Sequence, residues 1–311
     1  MKKIIVTGAN GFIGSHVLNE LAVKEDQIYA ITSSLVNKKN TDKITWLKVD
    51  LLNDDQMREM FTLINSPTHL LHLAWDTTPG QYWNSSANFK WLKASLSLFD
   101  MFCSLGGKRI VGVGSCAEYD LSQGICSELE TPLNYNSIYG SSKNSLFHML
   151  MSYQKHYGVS SAWARVFYLY GPREHELRLV PSVILSLLKG EQAKCTHGQQ
   201  IRDYLYVKDA AKALVNVLDS EISGPINIGS GKPIRLHEIV SNIADILNKK
   251  ELIQLNAIPA SVDEPEIVLA NVERLRENID WSPSVTLVQG IYETVEWWQS
   301  YLFGGKNGDE K

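Results

Sequence analysis

Short apolar runs alternate with longer amphipathic stretches through the N-terminal two thirds of the chain. A short apolar run predicts a strand buried on both faces, whereas apolar residues recurring every three to four positions predict a helix. The predicted strands cover residues 3–6, 28–32, 45–49, 69–73, 109–113 and 161–166. The predicted helices cover residues 12–23, 54–64, 88–105 and 139–157. This alternation is typical of βαβ units, so we expect an α/β fold with a doubly wound parallel sheet.

The alternation becomes irregular after the segment Tyr-Gly-Pro that starts at Tyr170. Beyond it, residues 180–188 and 209–218 predict helices, and residues 225–228 predict a short strand. We therefore expect a smaller α/β domain interleaved with the first. The expected first domain covers residues 1–170 and 200–222, the second covers 171–199 and 223–300, and residues 301–311 are expected to be a disordered tail.

The composition of the 311-residue chain is that of a globular protein, with 44% hydrophobic and 21% charged residues. Its 30 basic and 34 acidic residues are scattered, so we expect no nucleic-acid partner. Apolar runs long enough for a membrane span or a signal peptide are absent from the sequence, so we expect no membrane partner. The 4 cysteines show neither paired nor zinc-type spacing. This predicts reduced thiols, a cytoplasmic location and no metal site.

Three glycines separate the first predicted strand from the first predicted helix, where residues 7–14 read Thr-Gly-Ala-Asn-Gly-Phe-Ile-Gly. Glycines allow close approach of backbone to phosphate, and a helix N-terminus attracts negative charge. This setting favours a dinucleotide pyrophosphate on a Rossmann-type fold, although glycines that serve only the turn are the alternative. The residues expected to contact the dinucleotide are Gly8, Asn10, Gly11, Phe12, Ile13 and Gly14.

A tyrosine and a lysine four positions apart, Tyr139 and Lys143, share one face of a predicted helix. The ammonium group would lower the phenol pKa from about 10 towards neutrality, which suits proton transfer. Ser115 follows the fifth predicted strand, at the sheet edge where ligands bind in such folds. These three residues predict a catalytic group, whereas an ordinary helix face is the alternative for the tyrosine and the lysine.

Two further polar side chains have a packing interpretation. His72 lies within an apolar strand, so we expect a hydrogen-bonded core histidine rather than a base. Cys116 follows Ser115 but has no sequence neighbour that would lower its pKa, which favours packing over nucleophilic catalysis.

The glycine loop, Ser115 and the Tyr139–Lys143 pair, together with Asp-Leu at residues 50–51 and Leu-Ala at 73–74, resemble the extended branch of the short-chain dehydrogenase/reductase superfamily. The resemblance covers nearly the whole chain. It implies that Ser115, Tyr139 and Lys143 form the catalytic triad and that Lys143 also holds the nicotinamide ribose. It further implies that Asp50 accepts a hydrogen bond from the adenine amino group. The other implied cofactor contacts are Leu51, Leu73, Ala74 and Tyr139.

The end of the second predicted strand carries no carboxylate that would bind the ribose 2′-hydroxyl of NAD. It carries Ser33 and Ser34 instead, followed by Lys38 and Lys39, which offer hydroxyls and cations to a 2′-phosphate. We therefore expect NADP(H) as the cofactor. Solvated loop lysines are the alternative interpretation.

Two later segments resemble the nucleotide-sugar members of the superfamily: residues 165–173 and residues 198–209. The resemblance implies a nucleotide-diphosphate sugar substrate, with the Arg202 guanidinium on the diphosphate. A surface ion pair with Asp203 is the alternative. Tyr168 stands where many relatives carry asparagine, which puts that substrate contact in doubt. The expected substrate-binding residues are Trp75, Cys116, Tyr168, Arg173 and Arg202.

The related 4,6-dehydratases carry Thr-Asp-Glu where residues 115–117 read Ser-Cys-Ala, so dehydration is not expected. Epimerisation at C4, ketone reduction and decarboxylation remain. The absent ribose-binding carboxylate favours reduction, and local sequence resembles 4-ketoreductases that make deoxysugars for bacterial surface polysaccharides. The expected function is NADPH-dependent reduction of a nucleotide-linked 4-keto-6-deoxy sugar. The alternatives are an NAD-dependent C4 epimerase and a non-catalytic NADP-binding sensor. In the family, helices matching 88–105 and 139–157 pair into a homodimer.

Overall fold

The computed structural model describes residues 1–35, 38–261 and 263–304. The strands in chain order are β1 (Lys3–Thr7), β2 (Gln27–Thr32), β3 (Ile44–Lys48), β4 (His69–His72), β5 (Arg109–Ser115), β6 (Ile125–Cys126), β7 (Ser160–Val166), β8 (Tyr168–Tyr170), β9 (Ala193–Lys194), β10 (Ile201–Tyr206), β11 (Gly224–Ile228), β12 (Pro233–Arg235), β13 (Ile253–Gln254) and β14 (Ile267–Ala270). The helices are α1 (Phe12–Ala22), α2 (Asp54–Ile64), α3 (Ala87–Ser104), α4 (Ile138–Tyr157), α5 (Leu179–Leu188), α6 (Val207–Asp219), α7 (Leu236–Leu247), α8 (Glu273–Asn278) and α9 (Leu287–Phe303).

Within the described residues, seven parallel strands form the large sheet in the order β11-β7-β5-β4-β1-β2-β3. Its interior strand β1 is apolar because both faces are covered, and Ile4, Ile5 and Val6 are fully buried. Residues of α1 and α6 complete the core on one face, and residues of α2, α3 and α4 complete the core on the other. The doubly wound parallel α/β sheet expected from the sequence is confirmed.

In the described part of the chain, five strands form a smaller sheet. Its order is β12-β10-β14-β6, and β8 also pairs with β10. Because β7 ends at Val166 and β8 begins at Tyr168, the smaller sheet starts at the carboxyl end of the large sheet. Helices α5, α7 and α9 form a third apolar core with this unit.

Strand membership differs from the expected domain boundaries at two places. β10 belongs to the smaller sheet, although residues 200–222 were expected with the large one. β11, expected in the second domain, is the edge strand of the large sheet and pairs in parallel with β7. The reason is α6, which packs beside α1 and returns the chain to the large sheet.

Residues 301–303, which were expected in the tail, belong to α9, which continues to Phe303. The remainder of that tail, residues 305–311, lies outside the described residues. Among the residues that the structure describes, no helix combines the length and the apolar character needed to cross a bilayer.

Candidate active site

The glycine loop forms a tight turn between β1 and α1. Gly8 has φ +64°, and a Cβ atom there would lie 2.9 Å from the backbone nitrogen of Ala74. A Cβ atom on Gly14 would lie 2.2 Å from the carbonyl oxygen of Gly8, so a side chain at position 14 would not fit. The close approach brings the loop beside residues 73–74 at the end of β4.

The helix that follows leaves its N-terminus open. Within the described residues no side chain caps α1, whose N-cap position is Gly11. The first helical N–H groups, near Phe12 and Ile13, therefore remain available to an anion. This uncapped helix end and the tight turn fit a dinucleotide pyrophosphate.

The polar residues that follow β2 and β3 lie at the same edge of the large sheet as the glycine loop. Ser33 and Ser34 are exposed after β2, where the Ser34 backbone nitrogen donates to Thr32 Oγ1 at 3.2 Å. Asp50 is exposed after β3, and its Oδ1 accepts from the Leu52 backbone nitrogen at 3.0 Å, while Leu51 is buried. The expected basic residue Lys38 lies with its Nζ 5.0 Å from the centre of the Trp46 ring.

Ser115, Tyr139 and Lys143 come together at the carboxyl end of β5. Ser115 ends the strand, and its hydroxyl lies close enough to the Tyr139 phenol to lower the pKa of that phenol. Lys143 Nζ donates to the Val113 carbonyl oxygen at 2.9 Å and lies 3.9 Å from the centre of the Trp75 ring. The structure thus brings together the three residues that the sequence predicts as catalytic.

The expected lowering of the tyrosine pKa by the lysine is absent among the described residues. Burial raises the pKa of the Tyr139 phenol, and the nearby Ser115 hydroxyl lowers it by less. The reason is geometric, because the Lys143 ammonium points to a carbonyl and an indole. Burial lowers the pKa of Lys143 itself to about 7, against an upward effect of the Glu118 carboxylate.

Aromatic side chains surround the phenol. Trp75 and Tyr82 contact the Tyr139 ring edge-on, with ring centres 6.4 and 4.9 Å away, and the Trp83 ring centre is 6.0 Å away. The Trp75 indole nitrogen donates to Asn88 Oδ1 at 2.8 Å, which fixes its orientation. Trp75, expected to contact substrate, therefore lies beside the catalytic group.

A buried ion pair below Ser115 was not predicted from the sequence. Glu118 Oε2 lies 2.7 Å from Arg165 Nε, and both side chains are almost completely buried. Glu118 Oε1 accepts from the Ser115 backbone nitrogen at 2.8 Å, and both Glu118 oxygens accept from the Trp163 indole nitrogen. The signal that could have found Glu118 is the capping box, a serine with a glutamate three residues later.

The two side chains with a packing interpretation are buried. His72 Nδ1 lies 2.8 Å from Thr7 Oγ1 and its Nε2 lies 2.8 Å from Ser95 Oγ, and burial lowers its pKa to about 3. This confirms the core histidine. Cys116 is buried beside Ser115, and burial raises the pKa of its thiol to about 12, which does not suit a nucleophile.

Arg202 lies at the other end of the site and does not pair with Asp203. Its Nη2 lies 2.7 Å from Glu264 Oε1, its Nη1 donates to two backbone carbonyls, and its Cζ is 5.7 Å from the centre of the Tyr168 ring. The surface ion pair with Asp203 is wrong because consecutive residues of a strand point to opposite faces. Only 2% of the Arg202 side chain is exposed.

The Asp203 carboxylate is buried on the opposite face of β10. It accepts hydrogen bonds from the Ser230 backbone nitrogen at 2.6 Å and from the Ser230 hydroxyl at 2.8 Å. Backbone nitrogens of Gly231 and Ala270 donate to it at 2.9 and 3.2 Å. Asp203 therefore joins three segments of the chain.

Arg173, expected at the substrate, contacts the glycine loop in this structure. Its Nη2 donates to Asn10 Oδ1 at 3.5 Å, and its backbone φ is +71°. The preceding Pro172 carbonyl oxygen lies 3.1 Å from His16 Nε2 of α1. The structure thus brings Tyr168 and Arg202 together and places Arg173 apart from them, beside Asn10. Its contact with substrate stays a prediction.

The sequence model of the NAD dependent epimerase/dehydratase family matches residues 4–229. The chain belongs to this family. The resemblance expected from the sequence is confirmed, and the chain is an enzyme of the NAD dependent epimerase/dehydratase family with a nicotinamide dinucleotide as its class of cofactor.

Among curated relatives, UDP-glucuronic acid decarboxylase 1 of Danio rerio is 24% identical over 97% of this chain and 73% of that protein. Among solved structures, UDP-N-acetylglucosamine 4-epimerase of Methanobrevibacter ruminantium M1, in complex with UDP-N-acetylmuramic acid, has a TM-score of 0.86 at 26% identity. The match covers 97% of this chain and 99% of that one. The dTDP-glucose 4,6-dehydratase of Bacillus anthracis, in complex with NAD, has a TM-score of 0.84 at 24% identity, covering 96% and 97%.

Proposed function

We propose that this chain is an NADPH-dependent reductase of a nucleotide-linked 4-keto-6-deoxy sugar, acting in deoxysugar biosynthesis for bacterial surface polysaccharides. The observation that carries the proposal is the convergence of Ser115, Tyr139 and the buried Lys143 at the end of β5, with Cys116 and Ala117 following Ser115. A dehydratase needs an acid and a base at these two positions, whereas a ketone reduction needs only the triad. Cysteine and alanine supply neither group.

The cofactor would be held by the glycine loop, by Ser33, Ser34 and Asp50 at the strand ends, and by Lys143. When bound, NADPH supplies the hydride that reduces the C4 carbonyl. Tyr139 donates the proton to the C4 oxygen, and the Ser115 hydroxyl polarises the same carbonyl. Lys143, whose ammonium bonds to the Val113 carbonyl oxygen in this structure, would hold the nicotinamide ribose. The buried aromatic surroundings of Tyr139 exclude water from this proton transfer.

Arg202 would bind the substrate diphosphate. The relatives named above act on or bind nucleotide sugars, and a guanidinium suits a diphosphate because it can donate two hydrogen bonds at once. Its present partner Glu264 is about one third exposed, so the diphosphate can replace that carboxylate at little cost in desolvation.

The preference for NADPH rests on the end of β2. Residues 33–35 read Ser-Ser-Leu, so they carry no carboxylate to repel a 2′-phosphate, and both serines are exposed. The expected result by calorimetry is a lower dissociation constant for NADPH than for NADH. Equal or reversed constants would instead support the NAD-dependent C4 epimerase.

Mass spectrometry of the products distinguishes ketone reduction, C4 epimerisation and decarboxylation. The protein is mixed with NADPH and a panel of 4-keto-6-deoxy sugar nucleotides, and in parallel with UDP-glucose or UDP-glucuronate and NAD. A reductase adds two hydrogens to the keto sugar with stoichiometric loss of absorbance at about 340 nm, an epimerase leaves the mass unchanged, and a decarboxylase releases carbon dioxide. A non-catalytic sensor would change none of the substrates.

Tyr139→Phe tests the proton donor. The variant should keep NADPH affinity and lose about a hundredfold or more in turnover, because only the phenolic hydroxyl is removed. Tyr135→Phe is the matched control, since Tyr135 is 75% exposed and lies shortly before α4. Turnover of Tyr139→Phe equal to that of the control would contradict the triad.

The helices α3 and α4 would form the homodimer interface expected from the family. Both carry exposed apolar side chains, including Phe89 and Met149. Light scattering should give the mass of a dimer at micromolar concentration, and the mass of a monomer would exclude this assembly.

A further inference from the structure

Glu174, between β8 and α5, has a buried carboxyl oxygen, Oε2, that lacks a hydrogen-bond partner among the described residues. Only 9% of the residue is exposed, and its Oε2 receives no hydrogen bond from any residue that the structure describes. Burial raises the pKa of this carboxyl well above its ordinary value, and the charge of Arg178 opposes this only in part. An unsatisfied buried polar atom destabilises a protein, so its presence points to a role other than stability.

On one side, contacts lead from Glu174 to the catalytic group. Arg178 is close enough for its charge to act on Glu174. The Arg178 guanidinium carbon lies 5.5 Å from the centre of the Tyr82 ring. Tyr82 in turn packs edge-on against Tyr139, with 4.9 Å between ring centres.

On the other side, contacts lead from Glu174 to Arg202. Tyr204 of β10 lies close enough to Glu174 for the carboxylate to raise the pKa of its phenol. Its ring stacks on that of Tyr168, with 5.6 Å between centres, in the register where β8 and β10 pair. Tyr168 lies 5.7 Å from the Arg202 guanidinium carbon. Glu174 is on the loop that joins Tyr168 of β8 to Arg178, and the contacts of these two residues lead to the arginine assigned to the diphosphate and to the reacting phenol.

We propose that Glu174 determines sugar specificity by hydrogen bonding to the C2 or C3 hydroxyl of the hexose. This inference rests on the proposed function, in which Tyr139 faces C4 and Arg202 faces the diphosphate on C1. A 4-keto-6-deoxyhexose joined to a diphosphate at C1 keeps hydroxyl groups only at C2 and C3. A carboxyl between the two ends of the sugar meets these hydroxyls rather than the nucleotide base.

The chemistry of the group agrees with this assignment. A buried carboxyl group that holds its proton can donate one hydrogen bond and accept another, which matches a hydroxyl group. A direct ion pair with Arg178 is not formed in this structure, where Arg178 Nη2 instead donates to the Thr77 carbonyl oxygen at 3.5 Å. The carboxyl is therefore not already engaged by its nearest cation.

Calorimetry with paired probes tests the assignment. Wild type, Glu174→Gln and Glu174→Met are titrated with UDP, CDP, dTDP and GDP, and with the glucose ester of each, because glucose carries the same C2 and C3 hydroxyls. For the nucleotide that wild type prefers, Glu174→Met should bind the glucose ester about tenfold to a hundredfold more weakly and the diphosphate unchanged. Glu174→Gln should recover part of the difference, because an amide still donates and accepts.

A thermal melt distinguishes recognition from a structural role. Because Glu174→Met removes a buried unsatisfied carboxyl and keeps the side-chain length, its melting temperature should equal or exceed that of wild type. A structural carboxyl would give a lower melting temperature. Glu176→Gln is the matched control, since Glu176 is exposed on the same segment and should change neither affinity nor melting temperature.

The calorimetric results distinguish a failure of the Glu174 assignment from a failure of the proposed function. If Glu174→Met weakens neither probe, or weakens diphosphate and glucose ester equally, Glu174 does not recognise the sugar, although Arg202→Ala would still weaken both probes. If wild type binds none of the diphosphates or glucose esters, the nucleotide-sugar function fails and the sugar contact fails with it.

Discussion

Two arginine–carboxylate pairs, Glu118–Arg165 and Arg202–Glu264, lie at different ends of the candidate active site and differ in their exposure to water. The side chains of the first pair are 0% and 1% exposed, whereas Glu264 in the second pair is 32% exposed. The first pair also holds the backbone nitrogen of Ser115, so it fixes the catalytic loop. We call Glu118–Arg165 the sealed pair and Arg202–Glu264 the exposed pair. The difference indicates that the sealed pair positions residues, whereas the exposed pair can exchange its exposed carboxylate for a ligand.

Breaking the sealed pair should have the largest effect. Glu118→Gln leaves the Arg165 guanidinium charged and buried without its counter-ion, which should lower the free energy of unfolding by about 3–5 kcal/mol. Urea denaturation measures this loss. Arg58→Gln is the control, since the Arg58–Asp55 pair is exposed and its loss should cost about 0.5 kcal/mol or less. Similar costs for the two variants would remove the distinction between sealed and exposed pairs.

Removing the arginine of the exposed pair should affect binding. Arg202→Ala should raise the dissociation constant of the nucleoside diphosphate. The binding free energy should weaken by about 1.5–3 kcal/mol for each charged hydrogen bond lost. Calorimetry should show an unchanged constant for NADPH, because the glycine loop lies elsewhere. Arg202→Lys should restore the charge and only part of the geometry. Wild-type affinity in Arg202→Ala would leave this arginine with a purely structural role.

Replacing the glutamate of the exposed pair by glutamine should lower the free energy of unfolding by less than Glu118→Gln does in the sealed pair. Glu264→Gln leaves Arg202 bonded to the carbonyl oxygens of Ile201 and Glu266, and water reaches the altered side chain. We expect a loss of about 1 kcal/mol in the free energy of unfolding. Diphosphate affinity should stay equal or improve, because a competing carboxylate is gone. A loss as large as that of Glu118→Gln would contradict the comparison.

The end of the site that holds Ser115 and Lys143 should also show a pH dependence. Burial lowers the pKa of Lys143 to about 7 in the folded protein, from 10.5 in the unfolded chain. Between these values the unfolded chain binds more protons, so the free energy of unfolding should rise as pH rises from about 7 towards 10. Lys143→Met should flatten this slope in urea denaturation at several pH values, whereas Arg202→Ala should keep it. An unchanged slope in Lys143→Met would show that other groups produce it.

The sequence predicts the large sheet well because its strands are apolar on both faces and its helices have regular periodicity. The predicted helix 54–64 matches α2 at both ends, and the glycine loop lies where expected. β11 is placed in the wrong unit because an apolar strand does not specify its neighbour. Its position depends on α6, whose packing against α1 is a tertiary contact.

The sequence predicts only part of the candidate active site, and two physical reasons explain what it misses. Helical spacing puts Tyr139 and Lys143 on one face, but it does not direct the ammonium, which bonds to Val113 rather than acting on the phenol. Partners far apart in the chain, such as Arg202 and Glu264, leave no local pattern. Strand alternation, by contrast, already excludes a pair between Arg202 and its neighbour Asp203.

The hydrogen bonds of Asp203 bear on the order in which the protein folds. They join residue 203 to residues 27, 28 and 67 positions further along the chain, so they need long loops to close. The βα units of the large sheet, in contrast, form from segments that are close in sequence. We expect the smaller sheet to assemble after them, with Asp203 completing its bonds near the end of folding. Until that step, the carboxylate remains hydrated, and the segments around Ser230 and Ala270 remain open to hydrogen exchange.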